Sequence, residues 1–557
     1  TLSGAGQKNA AGAVVVNNNL TNSTILDMGA NTLSVSGTID NTGGNIRFTG
    51  ATNGLAIASG TITYYGASQT ITTGTYNNLV INQSSGQASL GGNVTVNGTL
   101  TLTNGILNLG GYNLTLGPSA TISIASPSAT KMIIANGSQV IKTFAGTGSF
   151  LFPIGDNTGT TEYSPITINV TAGSGFPANV GVTVVDAKHP SNSSTANFLT
   201  RYWEIDQTGI TGCVATISAT YPAADISGTE ASIHAAQLPG TFNQTTNPWL
   251  KFSALAGNTL TASGATLVSG TNAFTGIRGA DPVATITGGG VTICVGNSVS
   301  LNTTTTGDGP FTFSWSPATG LSATNIANPV ATPTTTENYT VTIRDANGIV
   351  DTDVTTITVN TVPTTPNVTP VGPLVVCEGS AAIVLTSDAA SGNQWYKDGS
   401  PIGGATATTL NITTTPGNSG SYTVISTVSG CASAVSNAVS VTIDALPLVT
   451  PVVTPATTTI CSGSTVTVNI AGSQAGINYE LFDGGTSLSS PVAGTGGAIN
   501  ITTSALTVNT TITVRATNPV TSCTTLLSGT SVVTVNPIPT TPNVTPVGPL
   551  VVCEGSA

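Results

Sequence analysis

The stretch from Pro363 to Ala381, PTTPNVTPVGPLVVCEGSA, returns unchanged from Pro539 to Ala557. Nineteen identical residues set 176 positions apart mark a tandem array, because a shared fold constrains pattern rather than identity. Arrays of so long a period are strings of folded modules, each meeting mainly its neighbours. The second copy opens a further module, 538–557, and the natural protein is expected to continue beyond it.

With 557 residues the chain is too long for one core and predicts several domains. Only 6% of residues are charged, against about 25% in an ordinary domain. Disorder requires low hydrophobicity together with high net charge, and here 39% of residues are hydrophobic in short alternating runs. The expected class is therefore all-β. The net charge of −11 is spread thinly and leaves no basic patch for a phosphate backbone, which argues against nucleic acid as a partner. No apolar run approaches the roughly 18–20 residues of a membrane helix. Residue 1 is Thr, with no charged and apolar leader after it, so any signal peptide is expected to lie upstream or to have been removed.

Residues 1–145 carry apolar pairs at short intervals. They are Leu26/Met28, Leu33/Val35, Ile46/Phe48, Leu55/Ile57, Ile62/Tyr64, Leu79/Ile81, Val94/Val96, Leu100/Leu102, Leu107/Leu109, Leu114/Leu116 and Ile122/Ile124. Each beat reads as one very short strand and one Asn/Gly corner, and about three beats make a coil. That is the pattern of a parallel β-helix-like solenoid. A meander of hairpins is the competing reading, since Asn97-Gly98 and Asn104-Gly105 are strong two-residue turns. From 146 to 282 the strands lengthen, and Trp203 and Trp249 are expected in the core of a β-sandwich.

Residues 283–361 alternate through Phe311-Thr-Phe-Ser-Trp315 and Tyr339-Thr-Val-Thr-Ile343, followed by the turn Asp345-Ala-Asn-Gly348. This pattern resembles PKD-like β-sandwiches, with Trp315 in the core. In 362–446, Gln394-Trp395-Tyr396 resembles an immunoglobulin core-Trp strand, and Asn418-Ser-Gly-Ser-Tyr422 resembles a tyrosine corner. Residues 447–537 repeat this plan with Tyr479-Glu-Leu-Phe482 in place of the Trp strand.

The cysteines stand at 213, 294, 377, 431, 461, 523 and 553, with no CxxC pair for a zinc ribbon or a redox motif. Wide spacing in β modules points to structural disulfides and an oxidising compartment, with buried free thiols as the alternative. The position two residues after Tyr422 is Val424, so an antibody-type cross-sheet bridge is ruled out. The expected bridges are Cys377–Cys431 and Cys461–Cys523, one within each module. Cys213 and Cys294 are left without an in-domain partner, a bridge between the two remaining open, and Cys553 is expected to find its partner in the continuing repeat.

Little in the chain suggests catalysis. His189 and His234 are the only histidines, and no GxSxG, HExxH or P-loop occurs. No cofactor is expected. Asp345, Asp351 and Asp353 form a calcium candidate, set against the reading of edge charges that discourage sheet aggregation.

The Gly/Thr/Asn-rich coil, the Arg201-Tyr-Trp-Glu-Ile205 strand, and the PKD-like and immunoglobulin-like repeats together resemble the giant cell-surface adhesins of Bacteroidota. The resemblance implies export by type IX secretion, outer-surface display through secretion and outer-membrane attachment machinery, and adhesion to a surface polysaccharide or other cell-surface ligand, with gliding motility as one setting. The expected function is an extracellular adhesive stalk, built as an elongated rod and not an enzyme. The alternatives are a carbohydrate-binding or carbohydrate-active protein working through 1–145, where bases number only Lys8, Arg47, Lys131 and Lys142, and a passive sheath component.

Overall fold

The computed structural model describes residues 4–17, 19–35, 39–40, 44–49 and 60–542, which fall into two compact bodies. One comprises the chain to residue 292 together with 296–358, and the other comprises 293–295 together with the chain from 359. Both are all-β. Among the described residues the helical elements are three single-turn 3-10 segments, and none is long and apolar enough to cross a membrane.

The first body begins with very short strands paired in parallel to strands one beat-group later. Leu26 lies beside Ile46, Ile46 beside Ile62, Ile62 beside Leu79, Leu79 beside Leu100 and Leu100 beside Ile122. A second parallel stack runs from Val94 to Leu114 to Val140. The hairpin meander is thereby overturned: Asn104-Gly105 lies inside the strand Thr99–Asn108, and the partners of that strand are far away in sequence. The apolar pairs from Ile46/Phe48 through Leu114/Leu116 that fall on described residues are buried, because alternate residues of each short strand point inward. Leu55 and Ile57 lie outside the described residues.

At residue 140 the pairing changes hand. Val140–Phe144 is parallel to Leu114–Leu116 on one side and antiparallel to Ala178–Val185 on the other. The buried ammonium of Lys142 donates to the carbonyls of Gly117, Pro118 and Ala120, closing the last parallel corner. From there the longer antiparallel strands Tyr202–Thr208, Gly270–Arg278 and Ile233–Pro239 extend the same sheet, so one core runs unbroken from Leu20 to Phe274. Residues 145 and 146 therefore mark a change of pairing and not a gap in packing. Trp203 and Trp249 are both buried.

The same body includes residues 296–358, where Trp315 is buried on the strand Thr312–Ser316 that pairs with Glu337–Arg344. The turn at Asp345–Gly348 is docked against the preceding sandwich. Asn347 accepts from the Ser193 amide (2.8 Å) and donates to Ser194 Oγ (3.2 Å), its carbonyl accepts from the Trp249 amide (3.2 Å), and Gln244 donates to the Asp345 carbonyl (2.6 Å). Gly348 has φ +87°, and a Cβ there would sit 2.3 Å from Cβ of Pro248, so both backbone conformation and close approach require glycine.

The second body repeats one plan twice. In 362–446 a three-stranded sheet (Val368–Thr369, Ile383–Ser387, Thr409–Ile412) faces a sheet ordered Leu374–Cys377, Val439–Asp444, Gly420–Val428, Asn393–Lys397, Ser400–Pro401. In 447–537 the sheets are Val452–Thr454, Thr467–Ala471, Ile499–Thr502 and Thr457–Cys461, Thr524–Asn536, Thr510–Thr517, Asn478–Asp483, Thr486–Ser487. The first strand divides between the sheets, and its second half runs parallel to the last strand. This is an immunoglobulin-like sandwich. Trp395 is fully buried, and the Tyr422 hydroxyl donates to the Asn418 carbonyl at 2.6 Å, forming the corner.

Candidate functional site at the module ends

The parallel pairing of first and last strands decides where the cysteines lie. Cys377 stands opposite Asp444, at the end where the chain leaves its module. The strand Gly420–Val428 begins near that end, with Gly420 opposite Val441, and runs the other way to the turn Ser429-Gly430 and Cys431. Eight residues of one strand and three of the other, at about 3.3 Å each, separate Cys377 from Cys431 by roughly 35 Å. A disulfide needs Cα atoms within about 7 Å. The expected Cys377–Cys431 bridge is therefore excluded. In the next module Cys461 is opposite Asn536 while Cys523 precedes Thr524, so Cys461–Cys523 fails for the same reason.

The bridges observed are Cys294–Cys431 and Cys377–Cys523, each with Cα atoms 5.6 Å apart. Each joins a cysteine at the exit end of one unit of the array to the cysteine after the hairpin turn of the next. Their sequence separations are 137 and 146 residues. Cys461 is an exposed free thiol, and Cys213 is a buried one whose pKa is pushed up by desolvation. Cys213 packs in the first core, so no 213–294 bridge forms. Cys553 lies outside the described residues. The parallel pairing with the last strand produces this arrangement, because it carries the final residue of Leu374–Cys377 to the exit end.

The three exit cysteines share one local structure. In each, glycine two residues on has positive φ: Gly296 (+92°), Gly379 (+76°) and Gly463 (+87°). In each, the amide of the residue after cysteine donates to the carbonyl of the final residue of the last strand: Val295 to Asn360 (3.0 Å), Glu378 to Asp444 (2.8 Å) and Ser462 to Asn536 (2.8 Å). At the first bridge the Asn360 side-chain amide also donates to the Ser429 carbonyl of the incoming turn, at 2.8 Å.

A second concentration of chemistry lies within the first body. Arg201, fully buried, pairs through its guanidinium with Asp156, Glu162 and Asp225, and reaches Asp186 at 3.3 Å. Burial pulls the guanidinium pKa down, but the hydrogen bonds and charges of Asp225 and Asp156 outweigh it and hold the group protonated. Desolvation raises the Asp225 carboxyl, and Glu162 and Asp186 add to that rise. The cluster ties the start of Tyr202–Thr208 to the strands Ile154–Asp156 and Glu162–Tyr163 before it and to the 3-10 turn Ala223–Asp225 after it. The histidines serve packing: His189 sits edge-on to Tyr202 and Trp249 with its pKa lowered by burial, and His234 Nδ1 meets the Phe252 carbonyl at 2.9 Å.

The calcium candidate is not assembled. Asp345 accepts from the amides of Asn347 (3.0 Å) and Ile349 (2.8 Å), Asp351 from Ala284 (2.8 Å), and Asp353 from Ile286 (2.7 Å). Their oxygens satisfy backbone donors of a turn and of the strand Val283–Thr287, which explains three acids in so uncharged a chain.

No family model and no curated protein matches the chain. Solved structures similar to it are tandem immunoglobulin domains. A three-domain titin fragment, I67–I69, is 14% identical with TM-score 0.31, covering 46% of this chain and 99% of that one. Sidekick-1 immunoglobulin domains 1–5 are 12% identical with TM-score 0.21, covering 71% and 96%. The insect immune protein hemolin is 12% identical with TM-score 0.21, covering 58% and 95%. At these values the likenesses carry no argument about function, and the immunoglobulin-like reading rests on strand order and the tyrosine corner.

Proposed function

We propose that this chain is a segment of an extracellular structural and adhesive fibre in which disulfides join successive modules in series. The observation that carries the reading is the stagger of Cys294–Cys431 and Cys377–Cys523, each leaving one module for the next. A bridge within a module protects that module alone, whereas a bridge between modules carries tension past the fold of either. Disulfides that persist also favour an oxidising, extracellular location. In this reading residues 1–145 form a β-helix-like solenoid, supported by the parallel register at steps of about twenty residues, and 283–361 is PKD-like. No catalysis is assigned to the chain. Type IX export, outer-surface attachment, a polysaccharide ligand and a part in gliding complete the proposal and rest on the resemblance in composition and module order.

Pulling the chain from its ends tests this. With both bridges intact the shortest covalent route from 294 to 523 crosses one bridge, returns from 431 to 377 and crosses the other. Reduction should lengthen the fully unfolded 294–523 segment about fourfold, since reach scales with the residues in the path. Equal lengths with and without reductant would remove the tension-bearing role. Binding of the chain to a panel of surface polysaccharides separates an adhesive fibre from a passive sheath.

A further inference from the structure

The exit end of module 447–537 has every feature of the two bridged exit ends except a partner. Cys461 lies in the same Cys-x-Gly turn as Cys294 and Cys377, held by the same amide-to-carbonyl bond to the last residue of the final strand. That last residue, Asn536, is exposed and corresponds to Asn360, whose amide grips the turn of the incoming module at the first bridge. The sequence that follows agrees. Residues 539–557 repeat 363–381, so the module opening after Asn536 is of the same kind as the one opening after Asn360.

We infer that Cys461 and Asn536 form a docking site for the Ser-Gly-Cys turn of a module of the 362–446 kind, closed by a disulfide from Cys461 to the cysteine equivalent to Cys431. The two thiols lose two protons and two electrons to a disulfide oxidant such as oxidised glutathione, which leaves as two thiols. The Asn536 amide donates to the carbonyl of the turn serine. The inference does not depend on what the fibre adheres to, because it concerns only how one module is attached to the next.

The test is a chain of 1–557 extended by a second copy of residues 382–446, which completes the repeat begun at 538, refolded in a glutathione buffer. Peptide mapping without reductant should find Cys461 joined to the last cysteine of the added copy, and Cys461 should become inaccessible to iodoacetamide, which labels it in the 1–557 chain. Replacing that last cysteine with serine should restore labelling. A bridge from the added cysteine to Cys553, or continued labelling of Cys461, overturns the inference. A Cys553→Ser version of the extended chain removes the competing partner and must still form the Cys461 bridge. Asn536→Ala should slow bridge formation several-fold without changing which cysteines pair, and an unchanged rate would overturn the assignment of Asn536.

Discussion

The first body buries Trp203, Phe274, Leu100 and many others in one core shared by parallel and antiparallel strands, whereas module 362–446 has nine core side chains around Trp395 and module 447–537 has fifteen around Tyr479. A small sandwich buries a smaller fraction of its surface than a large domain and is correspondingly marginal. The large body leaves its cysteine, Cys213, unpaired in the core, and the small modules are the ones bridged. Covalent bonds are thus concentrated where burial is least able to hold the fold alone.

The largest expected effect is on that contrast. Breaking either bridge with Cys431→Ser or Cys523→Ser should destabilise the second body by about 5 kcal/mol, the loop-entropy value for closures of this length, and the overlap of the loops makes the double loss less than additive. Calorimetry with and without reductant should show the second body's transition falling and the first body's unchanged. A shift of both would break the comparison.

Arg201→Met should cost the first body about 3–5 kcal/mol by leaving buried carboxylates unpaired. The sign of its pH dependence follows from Asp225. A carboxyl whose pKa is raised on folding binds its proton more tightly when folded, so acid relieves the penalty. The variant should regain stability as pH falls from 7 through the raised pKa toward the unfolded value of about 3.9, measured by urea unfolding at each pH. Loss of stability over that window would mean that the carboxylates are not held together by Arg201.

Gly348→Ala should cost about 1–3 kcal/mol, through both positive φ and collision with Pro248, and should loosen the Asp345–Gly348 turn as read by amide exchange at Asn347 and Trp249. The smallest effect is on calcium. Adding or chelating it should leave the melting of both bodies unchanged within about 1 °C, because the carboxylates of Asp345, Asp351 and Asp353 are already occupied by amides.

The parts of the fold governed by local periodicity were legible in the chain. Paired apolar residues such as Leu100/Leu102 announce short inward-facing strands, and Trp395 with Tyr422 announces the immunoglobulin-like plan. Cysteine pairing was not legible from spacing, since intervals of 54 and 62 residues fit a loop within a module equally well. What decides it is the direction of the strand Leu374–Cys377 beside Val439–Asp444, a long-range pairing. The Arg201 cluster was hidden for a similar reason: Asp156, Glu162, Asp186 and Asp225 are scattered in sequence and meet only through tertiary packing.

The two bridges close overlapping loops, 294–431 and 377–523. Any single peptide bond between Cys294 and Cys523 therefore lies inside at least one closed ring. A protease that nicks an exposed turn anywhere in that span releases nothing, and the two halves stay attached until every bridge that crosses the cut is reduced. Should Cys461 be bridged onward in the same stagger, the protected span would extend with each added module. Shedding by proteolysis alone requires three cuts, one in each of 294–377, 377–431 and 431–523, or a single cut outside the ladder altogether.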